Sequence, residues 1–232
     1  MALNINGTTG ISGVDGSVSA PALTGTDSNT GITFPAADTI KFSTGGVERM
    51  AITNSGVTGV SGGKILQVVH ASSTQDGSVN CNPTRTRVDI PNQNLTITPA
   101  ATSSKILISF QQFGETGASA HQFSIVLKRA ISGGATTEIT GDKQSGASRS
   151  EVFTLLGNHS GGNGSDNNTT PEIAHCANYL DSPNTTSAVT YTLSIQNHES
   201  TGLYYYNRSL NDSDANENER GISWITAMEV GA

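Results

Sequence analysis

The opening segment, residues 1–62, constrains this chain most, because one copy of it cannot supply a hydrophobic core. From Pro21 to Thr53 the sequence reads PALTGTDSNTGITFPAADTIKFSTGGVERMAIT, and its apolar side chains fall in three small patches. These are Ile32 with Phe34, Ile40 with Phe42, and the run Val47, Met50 and Ile52. The Gly, Thr, Ser and Asp between them carry a large ordering entropy and bury little apolar surface. Such a segment must find its core on other copies of itself or on a larger assembly. Ile32, Phe34, Ile40, Phe42, Val47, Met50 and Ile52 are therefore the candidate assembly residues.

A glycine-rich joint, VTGVSGG from Val57 to Gly63, separates this sparse segment from an unlike region. From residue 63 onward apolar residues become dense and alternate with period two, the signature of half-buried strands. Lys64 to Ala71, Arg87 to Ile90, Leu95 to Thr98, Lys105 to Phe113 and Gln122 to Arg129 read this way. Val152 to Leu156, Ile173 to Tyr179, Ser187 to Gln196 and Ser223 to Val230 continue the series. In the clearest case Val189, Tyr191, Leu193 and Ile195 share one face, opposite Thr190, Thr192, Ser194 and Gln196. No segment reads as a helix. Short strands at regular spacing, joined by turn residues, predict an all-β fold with two parts. Residues 63–232 form an antiparallel β-sandwich head of jelly-roll-like type. Residues 1–62 form an extended, Gly/Ser/Thr-rich segment that intertwines with its copies.

Composition narrows the functional classes. Charged residues make up 13% of the chain, about half the usual share. The formal charge is −7, and the densest basic cluster, Arg85 with Arg87, sits beside Asp89, so nucleic acid is not an expected partner. No apolar run is long enough to span a membrane, and the N-terminus lacks the pattern of a signal peptide. Cys81 and Cys176 have no metal-ligand spacing and read as buried thiols, although a disulfide between them stays open.

Two sets of motifs resemble virion proteins of tailed bacteriophages, in particular tail-fibre and related proteins of cyanophages and other marine phages. In the opening segment these are DSNTGI from Asp27, ADTI from Ala37, and GGVERM from Gly45 followed by Ile52. In the head they are Gly63 to Val69, Ile97 to Ile108, Asp181 to Tyr191, Asn207-Arg208-Ser209 near Asp212 to Asp214, and Ile225 to Val230. The resemblance implies a structural part of a virus particle, assembled in the host bacterial cytoplasm and located in the virion.

Two long polar loops, Gly157 to Pro171 and Asn207 to Gly221, are candidates for contact with a host surface glycan or a neighbouring subunit. In the first, His159, Asn163, Asp166 and Asn167 are the candidate receptor-contact residues. Tyr204, Tyr205 and Tyr206 join them, because an exposed tyrosine can stack on a sugar ring while its hydroxyl hydrogen-bonds. The simpler reading puts one side of that strand in the core. Asp212, Asp214, Asn216, Glu217 and Glu219 have the two-residue spacing of calcium ligands, but the glycine and bidentate glutamate of an EF-hand are out of register. The histidines are scattered, and no metal or cofactor is expected. No nucleophile elbow appears, and no carboxylate pair stands out, so no catalytic residue is assigned and the chain reads as a non-enzyme.

The expectation is a homotrimeric short tail fibre or adhesin. Its N-terminal segment would join the copies and other virion proteins, and its head would meet the host surface. A capsid-decoration, head-fibre or baseplate protein without host contact is the alternative, and a carbohydrate-active domain the third possibility.

Overall fold

The computed structural model describes residues 4–6, 10–12, 15–59, 65–82, 85–116, 123–141, 150–156, 171–198, 202–216 and 218–231. All regular structure among these residues is β, and the chain divides into two compact units, Met1–Gly63 and Lys64–Ala232.

In the first unit, β1 (Asn4–Asn6) pairs with β2 (Gly10–Ser12), and β3 (Gly16–Ser17) with β4 (Ala20–Pro21). The rest is a five-stranded antiparallel meander, β5 (Leu23–Thr24), β6 (Gly31–Ala36), β7 (Thr39–Thr44), β8 (Val47–Thr53) and β9 (Gly56–Thr58). Within one chain, the segment expected to be extended is thus folded into a sheet. Its turns explain the difference. Gly45 and Gly46, both at positive φ (61° and 74°), close the tight β7–β8 hairpin, a conformation open to glycine at little cost.

The second unit is a sandwich of two antiparallel sheets, as the period-two pattern predicts. The larger contains β10 (Ile65–Ser73), β11 (Gly77–Asn80), β13 (Lys105–Thr116), β17 (Glu172–Asp181), β19 (Leu203–Tyr206) and β20 (Ser223–Val230). Here β13 holds β17 along one edge, and β20 followed by β19 along the other. The smaller sheet contains β12 (Arg87–Ile97), β14 (Phe123–Ile131), β15 (Thr136–Ile139), β16 (Thr154–Leu155) and β18 (Val189–Asn197).

The inward faces interlock. Ile106, Ile108, Phe110, Ile225 and Ala227 of the larger sheet meet Ile97, Ile125, Leu127, Tyr191, Leu193 and Ile195 of the smaller, all essentially without solvent contact. Each such side chain contributes about 1.5–3 kcal/mol by leaving water, so this layer is the main source of the head's stability.

A polar tie joins the sheets inside this apolar layer. Asp181 at the end of β17 accepts from Arg129 Nη1 of β14 at 2.7 Å and from the Tyr191 hydroxyl of β18 at 2.6 Å. Burial and the adjacent Asp181 carboxylate both push the Tyr191 hydroxyl up, keeping it protonated as the donor. In the same row of the larger sheet, on the other side of Ile106 from Asp181, Glu229 is fully buried. Burial alone would raise its carboxyl, but hydrogen bonds from Ser104, the Gln67 amide and the Ala100 N–H outweigh that and hold it below the ordinary value.

Candidate functional site

The candidate assembly residues come together on one face of the meander. Leu23 pairs with Ile32, Ile32 with Phe42, and Phe42 with Met50, giving one apolar row across four strands. Ile40 pairs with Ile52 and Ile52 with Val57 in a second row. Phe34, two residues beyond Ile32, joins Ile40 and Ile52 around a shallow depression. Val47 stands apart at the β7–β8 turn, paired with Thr44.

Much of this face is turned to solvent, although Ile32, Phe42 and Met50 are half-buried. Leu23 is 41% exposed, Phe34 39%, Ile40 36%, Ile52 38% and Val57 58%. The covered face instead carries Thr33, Ser43 and Ala51, and Ala51 is the one hydrophobic core residue among the unit's described residues. The packing is therefore inverted, with small and polar groups inside and large apolar ones outside.

The tyrosine run divides by strand alternation. Tyr204 and Tyr206 point into the sandwich, 0% and 6% exposed, and are part of the core. Neither is a receptor contact, which corrects that expectation. Two glycines make room for them. A Cβ on Gly77 would strike the Tyr206 hydroxyl, and one on Gly114 would strike the Tyr204 hydroxyl and the Tyr205 carbonyl. Both are cross-strand partners of Tyr206. Burial pushes the Tyr204 hydroxyl well up.

Only Tyr205 faces outward, and the Arg208 guanidinium already lies 4.5 Å above its ring, a cation–π contact. That arginine occupies the ring face on which a sugar would stack.

The 207–221 loop is anchored at its base and cross-braced. Asn207 Nδ2 donates to the carbonyls of Ser73 (3.0 Å) and Gln75 (2.8 Å), and the Leu210 N–H donates to buried Glu115 at 2.6 Å. Arg220 grips both oxygens of Asp212 at 2.8 and 2.9 Å and also reaches Asp76. Of the acidic residues with calcium-like spacing, Asp212 is thus engaged by an arginine, and Glu217 lies outside the described residues. Among the described residues no group of three or more His, Cys, Asp or Glu is placed to hold a metal. His159, Asn163, Asp166 and Asn167 also lie outside the described residues.

One pairing escaped sequence reasoning. Ser124 Oγ lies 2.8 Å from His198 Nε2, a contact from which nucleophilic catalysis could start. Ser124 is fully buried, whereas His198 is half-buried. No periodicity would have linked residues so far apart. Both cysteines are free thiols. Burial pushes Cys81 up to about 11 and raises Cys176 as well, so both stay protonated and weakly nucleophilic at neutral pH.

No protein-family model matches the sequence, and no curated protein does. One similar solved structure is VP2 of infectious bursal disease virus, in the crystal structure of its subviral particle. It has 10% sequence identity and a TM-score of 0.34 over 71% of this chain. The match spans 41% of that chain, about two fifths of its length. At that TM-score the likeness adds nothing to the fold described above.

Proposed function

We propose that this chain is a structural protein of a virus particle, a homotrimeric short tail fibre or fibre-like adhesin. The N-terminal unit joins the copies and attaches them to the particle, and the β-sandwich head is carried toward the host surface. One observation carries this reading: the meander turns its large apolar side chains outward and keeps Thr33, Ser43 and Ala51 inside. A sheet built this way gains stability when its face is covered. At about 25 cal/mol per Å², covering some 400 Å² of apolar surface per copy releases roughly 10 kcal/mol, enough to offset ordinary association costs. The motifs shared with phage fibre proteins support the same reading. As a structural protein it carries out no reaction, and weak contacts multiplied over many copies provide the holding strength.

Light scattering in solution tests the assembly half. A mass three times the 24.0 kDa of one chain is expected, and a stable monomer at all concentrations refutes it. Competition tests the adhesin half. Purified protein should block adsorption of the particle to its host, and failure to block, together with labelling of the capsid by antibody, would assign it to decoration instead.

A further inference from the structure

We infer that the outward face of the head's larger sheet is a second self-association surface, covered by another copy of this chain. The inference rests on the reading that the chain self-associates, but it arises from a different unit and different residues. In the register of the sheet, Val68 of β10 pairs with Met228 of β20, Met228 with Leu107 of β13, and Leu107 with Leu180 of β17. These four side chains form an unbroken apolar row across the full width of four strands, on the side away from the core. Val68 is 56% exposed and Leu180 54%. Further along the same face Phe113 pairs with Ile173, and Trp224 lies between the two apolar zones.

Charge separates this face from its counterpart. On the smaller sheet the outward side carries the Lys128–Asp89 ion pair and Arg87, as a solvated surface should. On the larger sheet the outward positions of β10, β13, β17 and β20 between Lys105 and Glu115 include no Asp, Glu, Lys or Arg. The edge strand β10, ILQVVHASS, also lacks the charged or proline residues that normally keep an open edge from pairing. Copies with a charge of −7 can meet here without setting like charges against one another.

The extent is sufficient. Four strands about 4.8 Å apart and some nine residues long cover roughly 550 Å², which gives about 1,100 Å² counting both partners. A specific interface needs about 1,000 Å². A second copy fits because the face is uncharged and can be matched by its own apolar rows and by the polar Ser109, Gln111 and His175 between them.

The test uses the full chain, whose single tryptophan, Trp224, stands on this face and reports on it. Acrylamide quenching of its fluorescence is followed from dilute to concentrated protein, alongside mass by light scattering. As copies associate, quenching should fall about twofold, because a ring that loses most of its solvent contact meets fewer quencher molecules. The variant Val68→Glu with Leu180→Glu changes two exposed positions and should keep the far-UV circular dichroism of the parent. It should raise the concentration at which copies associate about tenfold or more, because like charges are then set against each other. Association with unchanged Trp224 quenching, or an unaffected variant, would overturn the inference while leaving self-association through the N-terminal unit standing. A chain that remains monomeric throughout would overturn both.

Discussion

Asp181 offers the sharpest test of how the head is held together. Replacing it with alanine leaves two groups without this partner in a region that is largely shielded from water. The Arg129 side chain is 18% exposed and that of Asp181 6%. The Tyr191 ring is fully buried. Breaking a buried pair by removing one member costs about 3–5 kcal/mol, because the remaining charge stays desolvated. For a chain of this size each kcal/mol lowers Tm by about 2–4 °C, so Asp181→Ala should lower the head transition by roughly 10 °C. Tyr191→Phe removes only the 2.6 Å hydrogen bond and should cost about 1.5–3 kcal/mol, the range for bonds to a charged acceptor. The two changes share one interaction, so they should not add. On the Asp181→Ala background, Tyr191→Phe should cost close to nothing. Thermal and guanidinium unfolding of the four proteins, followed by circular dichroism, gives the cycle. A loss under about 2 °C for Asp181→Ala, or additive effects, would mean that the apolar layers hold the sheets together without this tie.

Ile52→Asp changes an exposed position of the meander, so the fold should survive while self-association weakens. Losing about 1.5–3 kcal/mol per copy in a trimer lowers the association constant by more than about a thousandfold, measurable by light scattering against concentration. Gly114→Ala puts a Cβ against the Tyr204 hydroxyl and the Tyr205 carbonyl, and should destabilise the head by about 1–3 kcal/mol in chemical unfolding. Glu229, held below the ordinary glutamate value of 4.5, binds protons less readily folded than unfolded. Its contribution is complete above about pH 4.5 and is lost as pH falls through the folded value, so the guanidinium midpoint should drop in that window. Glu229→Gln should flatten that part of the profile.

Much of the head was legible because its strands alternate cleanly. Val189 to Ile195 and Ile106 to Phe110 announce both strand and core face by period two alone. Where both sides of a strand are apolar, the inward side could not be read. On β20 the bulkier set, Trp224 and Met228, faces outward, while Ile225 and Ala227 enter the core. Pairing decides this, since Ile225 lies opposite Phe110 and Ala227 opposite Ile108. The stretch from Arg87 to Ile97 reads as two strands because Pro91 interrupts it. It is one strand with a break in register between Asp89 and Asn94, where proline cannot donate to the ladder. β11 and β15 carry too few apolar residues to show any period. The tyrosine run was ambiguous for a further reason: glycines distant in sequence, Gly77 and Gly114, create the space that draws Tyr204 and Tyr206 inward. In the N-terminal unit the closing of one chain on itself was not legible, because so little apolar surface is gained by it.

The inverted packing of that unit bears on the order of events during synthesis. The meander precedes the head in the chain, so it leaves the ribosome first and presents Phe34, Ile40 and Ile52 to water while the head is still being made. If copies join through these faces, as proposed, chains growing side by side on one message would meet there before any head has folded. On the proposed reading, partners recruited in this way would be nascent siblings, and the number of copies joined would be set by how many faces can close together rather than by how much finished protein has accumulated in the cell.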